Sequence, residues 1–303
     1  MCKALGDFPD VTCCNRVWRT HEGQAPTGGW NPVPPFTQHQ DRSASRGLDS
    51  ASECHNGGMA VHVGTSGWVY PHWRGVFYPE GLPRRAWFAH YAKTFRTVEI
   101  NNSFYRLPSL ATFEAWGRQA PAGFVYAVKA NRFITHLRRL KDAREPLERF
   151  LAGARGLGQA LGPILYQLPP NWHVDLARFA SFLDCLPAGY IHVVEFRDVS
   201  WLTEEVFALM EEKGVVHCLH DLWTVRTPVR ATAPVVYVRM HGDHLNAGNY
   251  RTPVLRAWAD RIKRWSLEGR SVFVFFNNDL RGFATENGVA LREMIRSRGV
   301  ACD

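Results

Sequence analysis

Seven short apolar runs in this chain each carry, at or near their ends, a side chain able to do chemistry. The residues are Glu99, Lys129, Gln167, Glu195, His220, Arg239 and Asn277. Two carboxylates brought together can exchange protons, while a lysine and an arginine can hold an anion or steady developing negative charge. Strand side chains alternate, so residues two apart share a face. That places Asn101, Asn131, Arg197, His241 and Asp279 one layer above Glu99, Lys129, Glu195, Arg239 and Asn277. If the runs share one opening, Glu99, Lys129, Glu195 and Arg239 pair there, and mutual proximity shifts their proton affinities. On this reading Glu99 and Glu195 are the acid and base, and Lys129 and Arg239 grip an anion. The competing reading is an ion-pair network without chemistry, since buried charges must be paired to be tolerated.

Other candidates surround these. His136 lies in NRFITHLRRLKD beside Arg132, Arg138, Arg139 and Lys141, which reads either as a phosphate-gripping loop or as a solvated basic surface. Asp221 follows His220 and is counted with the catalytic set. With His241, Glu99 and Glu195 these two could form a carboxylate–imidazole metal site, but no tight ligand spacing supports one. No metal or other cofactor is therefore predicted. Tyr105 and Trp68, each near a strand end, are candidates for stacking on a ligand, whereas most loop aromatics read as packing. A Schiff base on Lys129 rests on that one lysine. The glycine-rich phosphate loop GxxxxGK[ST], the GxSxG elbow and HExxH are all missing, which removes the nucleotide triphosphatase, serine hydrolase and zinc peptidase readings.

These side chains need a scaffold that delivers strand ends to one place. Eight apolar runs recur: Val61–Thr65, Thr97–Asn101, Phe124–Ala130, Ile164–Leu168, Ile191–Phe196, Val215–Asp221, Val235–His241 and Val272–Asp279. Their β-branched and aromatic content marks buried strands. Helical spacing separates most of them, over Arg84–Phe95, Leu110–Gln119, Pro146–Leu157, Leu176–Leu186, Leu202–Glu212, Pro253–Leu267 and Thr285–Arg298. LWTVRTPVRATAP, between the sixth and seventh runs, is too short and proline-punctuated for a crossover helix. Eight strand–helix repeats predict an α/β fold, a single (β/α)₈ TIM-type barrel whose C-terminal strand ends face the site.

Residues 1–58 are rich in Pro, Gly, Ser, Thr, Asn and Gln and carry no sustained period, so they are expected to be a disordered N-terminal extension to a barrel domain at 59–303. The extension holds five Lys/Arg and six Asp/Glu, leaving 31 against 22, or +9, for the remainder. That surplus favours anionic partners, whether a small phosphorylated or carboxylated ligand or nucleic acid. Seven cysteines without regular spacing read as free thiols in a reducing compartment. With no signal-type apolar stretch and no membrane-spanning run, a cytoplasmic location without membrane partners is expected.

Taken together, GTSGWVYPHWRGVFYPEGLP, VEINNSFYRLPS, FVYAVKANRFITHLRRLKD, ILYQLPPNW, VEFRDVSW, CLHD, VYVRMHG and FFNND resemble the YecE-like family, the group filed as domain of unknown function seventy-two. The likeness spans about Val61–Arg296. It implies a TIM-type barrel and marks Glu99, Asn101, Tyr105, Lys129, His136, Gln167, Glu195, Arg197, His220, Asp221, Arg239, His241, Asn277 and Asn278 as motif positions. The usual family glycine after the second strand is Asn102 here. The resemblance implies no particular activity. The expectation is acid/base chemistry, of hydrolase or isomerase type, on a small anionic sugar or nucleotide derivative. A nucleic-acid-binding or -processing protein and a noncatalytic ligand sensor are the alternatives.

Overall fold

The computed structural model describes residues 60–303, so the extension expected at 1–58 lies outside the described residues. Eight parallel strands close into a barrel in chain order. They are β1 (Val61–Ser66), β2 (Thr97–Ile100), β3 (Val125–Lys129), β4 (Leu161–Gln167), β5 (His192–Glu195), β6 (Val216–His220), β7 (Val235–Met240) and β8 (Ser271–Phe276). Closure is made by β1 on β8, in register from Val61↔Val272 to Thr65↔Phe276.

The outer layer consists of α1 (Trp87–Thr94), α2 (Asn102–Tyr105, a single turn), α3 (Leu110–Gln119), α4 (Arg144–Ala154), α5 (Leu176–Leu183), α6 (Glu204–Glu212), α7 (Thr252–Leu267) and α8 (Phe283–Arg296). Sequence-local caps start several of these helices. Ser109, Asp175 and Thr203 each accept a backbone N–H three residues on, satisfying a donor that the first turn leaves open. The segment between β6 and β7 forms turns and no helix, as its prolines and short length require.

Period-two alternation sorts every strand into an outer and an inner face. Tyr126, Val128, Ile164, Tyr166, Val236, Val238, Val272 and Val274 belong to the large core beneath the helices. Ala127, Leu165, Val193, Val216, Cys218, Tyr237, Phe273 and Phe275 form a second cluster that fills the barrel. Moving one inward step further along the same strands leads from Ala127 to Lys129, Leu165 to Gln167, Val193 to Glu195, Cys218 to His220, and Tyr237 to Arg239. The apolar interior therefore becomes charged at its C-terminal end.

One glycine is dictated by a close approach. A Cβ on Gly64 would lie 2.2 Å from the carbonyl oxygen of Thr97, so β1 and β2 can meet there only if one side chain is missing.

Candidate functional site at the barrel mouth

Arg239, 2% exposed, joins the two inward glutamates. Its Nε donates to Glu99 Oε1 (3.2 Å) and Oε2 (3.0 Å), and its Nη2 to Glu99 Oε1 (2.8 Å). Its Nη1 donates to Glu195 Oε2 at 2.9 Å. The Tyr237 hydroxyl, one inward position below Arg239, donates to Glu99 Oε2 at 2.7 Å. Glu195 also accepts from Arg197 Nε, and from Gln167 Nε2 at 3.1 and 3.0 Å. Gln167 in turn accepts from Lys129 Nζ through Oε1 at 2.9 Å. Five strands, β2, β3, β4, β5 and β7, thus contribute to a ring of side chains in which one hydrogen-bonded chain runs from Lys129 to Glu99.

The ring separates proton affinities sharply. Burial pushes Glu99 upward, but the charge and hydrogen bonds of Arg239 and the bond from Tyr237 outweigh it, leaving the carboxyl below its usual range. Glu195 faces the same burial and is held well below that range by Arg197 and Arg239. Arg239, although buried, is raised further by both carboxylates. Lys129 goes the other way. Burial and then Arg239 lower its amine to about 7, with Arg197 adding to the effect and the two glutamates opposing it. The charges of Glu99, Glu195, Arg197 and Arg239 cancel in pairs, so near neutrality the ring's net charge follows one amine. Lys129 is only 8% exposed, and its ammonium position lies 4.0 Å from the centre of the Phe104 ring.

A second tier covers the ring. His241 stands between Arg197 (3.4 Å) and Asn277 (3.1 Å), and burial, followed by the two arginines, keeps its imidazole well below the ordinary value. Arg197 retains 16% side-chain exposure, more than any other charged member of the ring. His136 packs edge-on against Phe104 at 4.9 Å. Burial and the nearby Lys129 lower it to about 4, so it is neutral at physiological pH. Tyr105 is 54% exposed and also rests on Phe104.

Several expected site residues face other partners. Asp221, counted with the catalytic set, accepts the His241 backbone N–H (2.8 Å) and the Tyr250 hydroxyl, and so braces the loop after β7. Asn278 turns toward α8, donating to Asn287 Oδ1 (2.9 Å) and to the Gly248 carbonyl (2.8 Å). His220 bonds the Phe196 carbonyl at 2.7 Å, and burial lowers its affinity for a proton. Asn101 lies at the β2 end with its side-chain oxygen buried and without a hydrogen-bond partner. Trp68, expected to stack on a ligand, packs instead edge-on against Phe88 (5.5 Å) and Trp116 (6.2 Å).

Among the described residues no three His, Cys, Asp or Glu side chains converge to hold a metal ion. The oxygens of Glu99 and Glu195 already accept from arginine, tyrosine and amide donors, which explains why the carboxylate–imidazole grouping does not assemble. Tyr237 and Phe104 are the contributors that sequence reasoning missed. Tyr237 was accessible by parity, standing two residues before Arg239. Phe104 carried no such signal, because its place beneath Lys129 depends on the α2 turn.

Fold and site together define the class: a closed (β/α)₈ barrel with an acid–base ring at its C-terminal strand ends. Residues 62–302 match the family described as "Protein of unknown function DUF72", and the chain belongs to that family, in agreement with the YecE-like motifs. It is similar to the UPF0759 protein YunF of Bacillus subtilis, with 25% identity covering 78% of this chain and 94% of that one. The crystal structure of a DUF72 family protein from Thermotoga maritima aligns with a TM-score of 0.70 and 28% identity, over 78% of this chain and 99% of that one. A DUF72 family protein from Enterococcus faecalis shares the fold at a TM-score of 0.68 and 18% identity, over 80% of this chain and 97% of that one.

Proposed function

We propose that the barrel mouth binds a small anionic metabolite, such as a phosphorylated or carboxylated sugar or nucleotide derivative, and catalyses proton transfer on it in an isomerase- or hydrolase-type reaction. The observation that carries this reading is the setting of Lys129, a buried amine bonded to an amide oxygen while arginines pair both neighbouring carboxylates, a setting in which burial lowers the amine to about 7. A general base works best when its pKa lies near the operating pH. The roles therefore shift relative to the sequence-based expectation. Glu99 and Glu195 are too acidic to deliver protons at neutral pH and serve to fix Arg239 and Arg197, while Lys129 is the proton-exchanging group. Each nitrogen of Arg239 already donates to a glutamate and the group is 2% exposed, so the anion falls to Arg197, the more exposed guanidinium. The same reading takes the protein to be cytoplasmic, which the free thiols Cys185, Cys218 and Cys302 support. No helix among the described residues is long and apolar enough to cross a membrane.

A thermal-shift screen of phosphosugars, nucleotides and organic acids tests it. Stabilisation by an anionic compound that is lost in Arg197→Met supports the assignment. Hits indifferent to both Arg197→Met and Lys129→Met would remove the mouth as the binding site. A second reading, nucleic-acid binding, draws on Tyr105, Phe133 and Trp223, which are 54%, 41% and 69% exposed on the loops after β2, β3 and β6. Arginines 106, 132 and 226 lie close to them in the chain, and exposed aromatics beside basic groups suit stacked bases on a charged backbone. Under that reading binding weakens steeply with added salt.

A further inference from the structure

We propose that Lys129 forms a covalent imine with the aldehyde or ketone group of the anionic ligand, the carbonyl carbon meeting Nζ while the anion sits on Arg197. The proposal rests on the preceding reading of the mouth as an anion site and names the functional group of its substrate.

Geometry distinguishes this lysine from an ordinary ion-paired one. Two carboxylates share its ring, yet among the described residues neither lies within 4.0 Å of Nζ, because arginine, tyrosine and glutamine donors have taken their oxygens. The partner Lys129 does have is neutral, the Gln167 amide oxygen. One N–H spent on that acceptor leaves the nitrogen lone pair available. Desolvation beside other cations is an established way to keep a lysine amine unprotonated and nucleophilic, and Arg239 and Arg197 are those cations here. The Phe104 face opposes this by attracting an ammonium, a smaller effect than desolvation. The same face favours the product, because a protonated imine is a cation in the same place.

The step balances without an oxidant or reductant. The Nζ lone pair forms a C–N bond as the carbonyl π pair moves to oxygen, and a proton passes from nitrogen to that oxygen to give a carbinolamine. The C–O bond then breaks. The hydroxyl leaves as water with the second N–H proton, and the nitrogen lone pair closes the C=N bond. Protonation of the imine from solvent makes it an electron sink, which loosens protons on the adjacent carbon.

Borohydride trapping on the unmodified full chain tests the proposal. The chain has only six lysines, at positions 3, 93, 129, 141, 213 and 263, so peptide mapping resolves every adduct. The probes are glyceraldehyde 3-phosphate and, as its uncharged counterpart, glyceraldehyde. At about pH 7.5 the unprotonated fraction of an amine at pKa 7 exceeds that of an ordinary lysine by several hundredfold. After allowance for lower intrinsic nucleophilicity, Lys129 should take up the phosphorylated probe at least about tenfold faster than any other lysine. Reduced adduct spread over the other lysines, with Lys129 not preferred, would overturn the imine. The anion reading fails separately. Lys129 adduct formed equally with both probes, and unchanged in Arg197→Met, retains the imine and removes the anion site. Arg197-dependent thermal stabilisation without any Lys129 adduct does the reverse. The decisive measurement uses the unsubstituted protein, so it does not depend on how well a Lys129 variant folds.

Discussion

Replacing Lys129 with methionine should stabilise the protein in mild acid and cease to do so in alkali. The lysine amine is displaced from 10.5 to about 7 in the folded state, chiefly by burial. Between those values the unfolded chain holds a proton that the folded chain lacks, so wild-type stability rises with pH across this window. Below about pH 7 both states are protonated, and the folded state carries the full cost of the buried ammonium. At ~1.4 kcal/mol for each pH unit, that cost approaches about 5 kcal/mol. Methionine keeps the shape and the apolar contact with Phe104 but loses the hydrogen bond to Gln167, a pH-independent loss of about 1 kcal/mol. The net advantage of the variant should therefore be about 4 kcal/mol at pH 6, falling by about 3 kcal/mol by pH 9. Urea titrations of both proteins at these two pH values and at one between them give the difference directly, and the titrations of other groups largely cancel in it. A difference that stays constant across the range would refute the argument, because it would mean that the folded protein leaves the amine at its ordinary value.

Arg239→Met should destabilise the protein by about 3–5 kcal/mol at neutral pH, since it strands Glu99 and Glu195 without their shared guanidinium. The pH dependence contributed by Glu99 should also change sign. In the wild type the glutamates are held below their ordinary value, so their contribution is present above about 4.5 and is lost as pH falls through the folded pKa values. In the variant Glu195 keeps Arg197, but at Glu99 burial dominates and the folded carboxyl binds a proton more readily than the unfolded one, so acidification to about pH 5 should recover part of the loss. Chemical denaturation at both pH values checks this, and an equal deficit at each would contradict it. Gly64→Ala should cost about 1–3 kcal/mol or more, because its Cβ would meet the Thr97 carbonyl at 2.2 Å and force β1 and β2 apart. Gly81→Ala, where nothing lies within 4 Å, is the matched control and should stay within about 0.5 kcal/mol. Similar melting temperatures for the two variants would count against the strand contact.

The barrel was legible in the chain because burial on both faces of a parallel sheet leaves continuous apolar runs, and eight of them recur with helical spacing between most. Parity within those runs also picked out the inward residues, so Glu99, Lys129, Glu195 and Arg239 could be grouped from sequence, and Tyr237 could have been added by the same rule. What tertiary structure decided was which partner each charge takes. Sequence cannot say whether two glutamates share an arginine or each seeks its own, and here Arg239 bridges both while Arg197 caps one. That choice leaves Lys129 with an amide instead of a carboxylate and turns Asp221 toward Tyr250. The physical reason is that pairing in a low-dielectric interior depends on distances set jointly by five strands, and proton affinity follows those distances; side-chain type alone fixes neither.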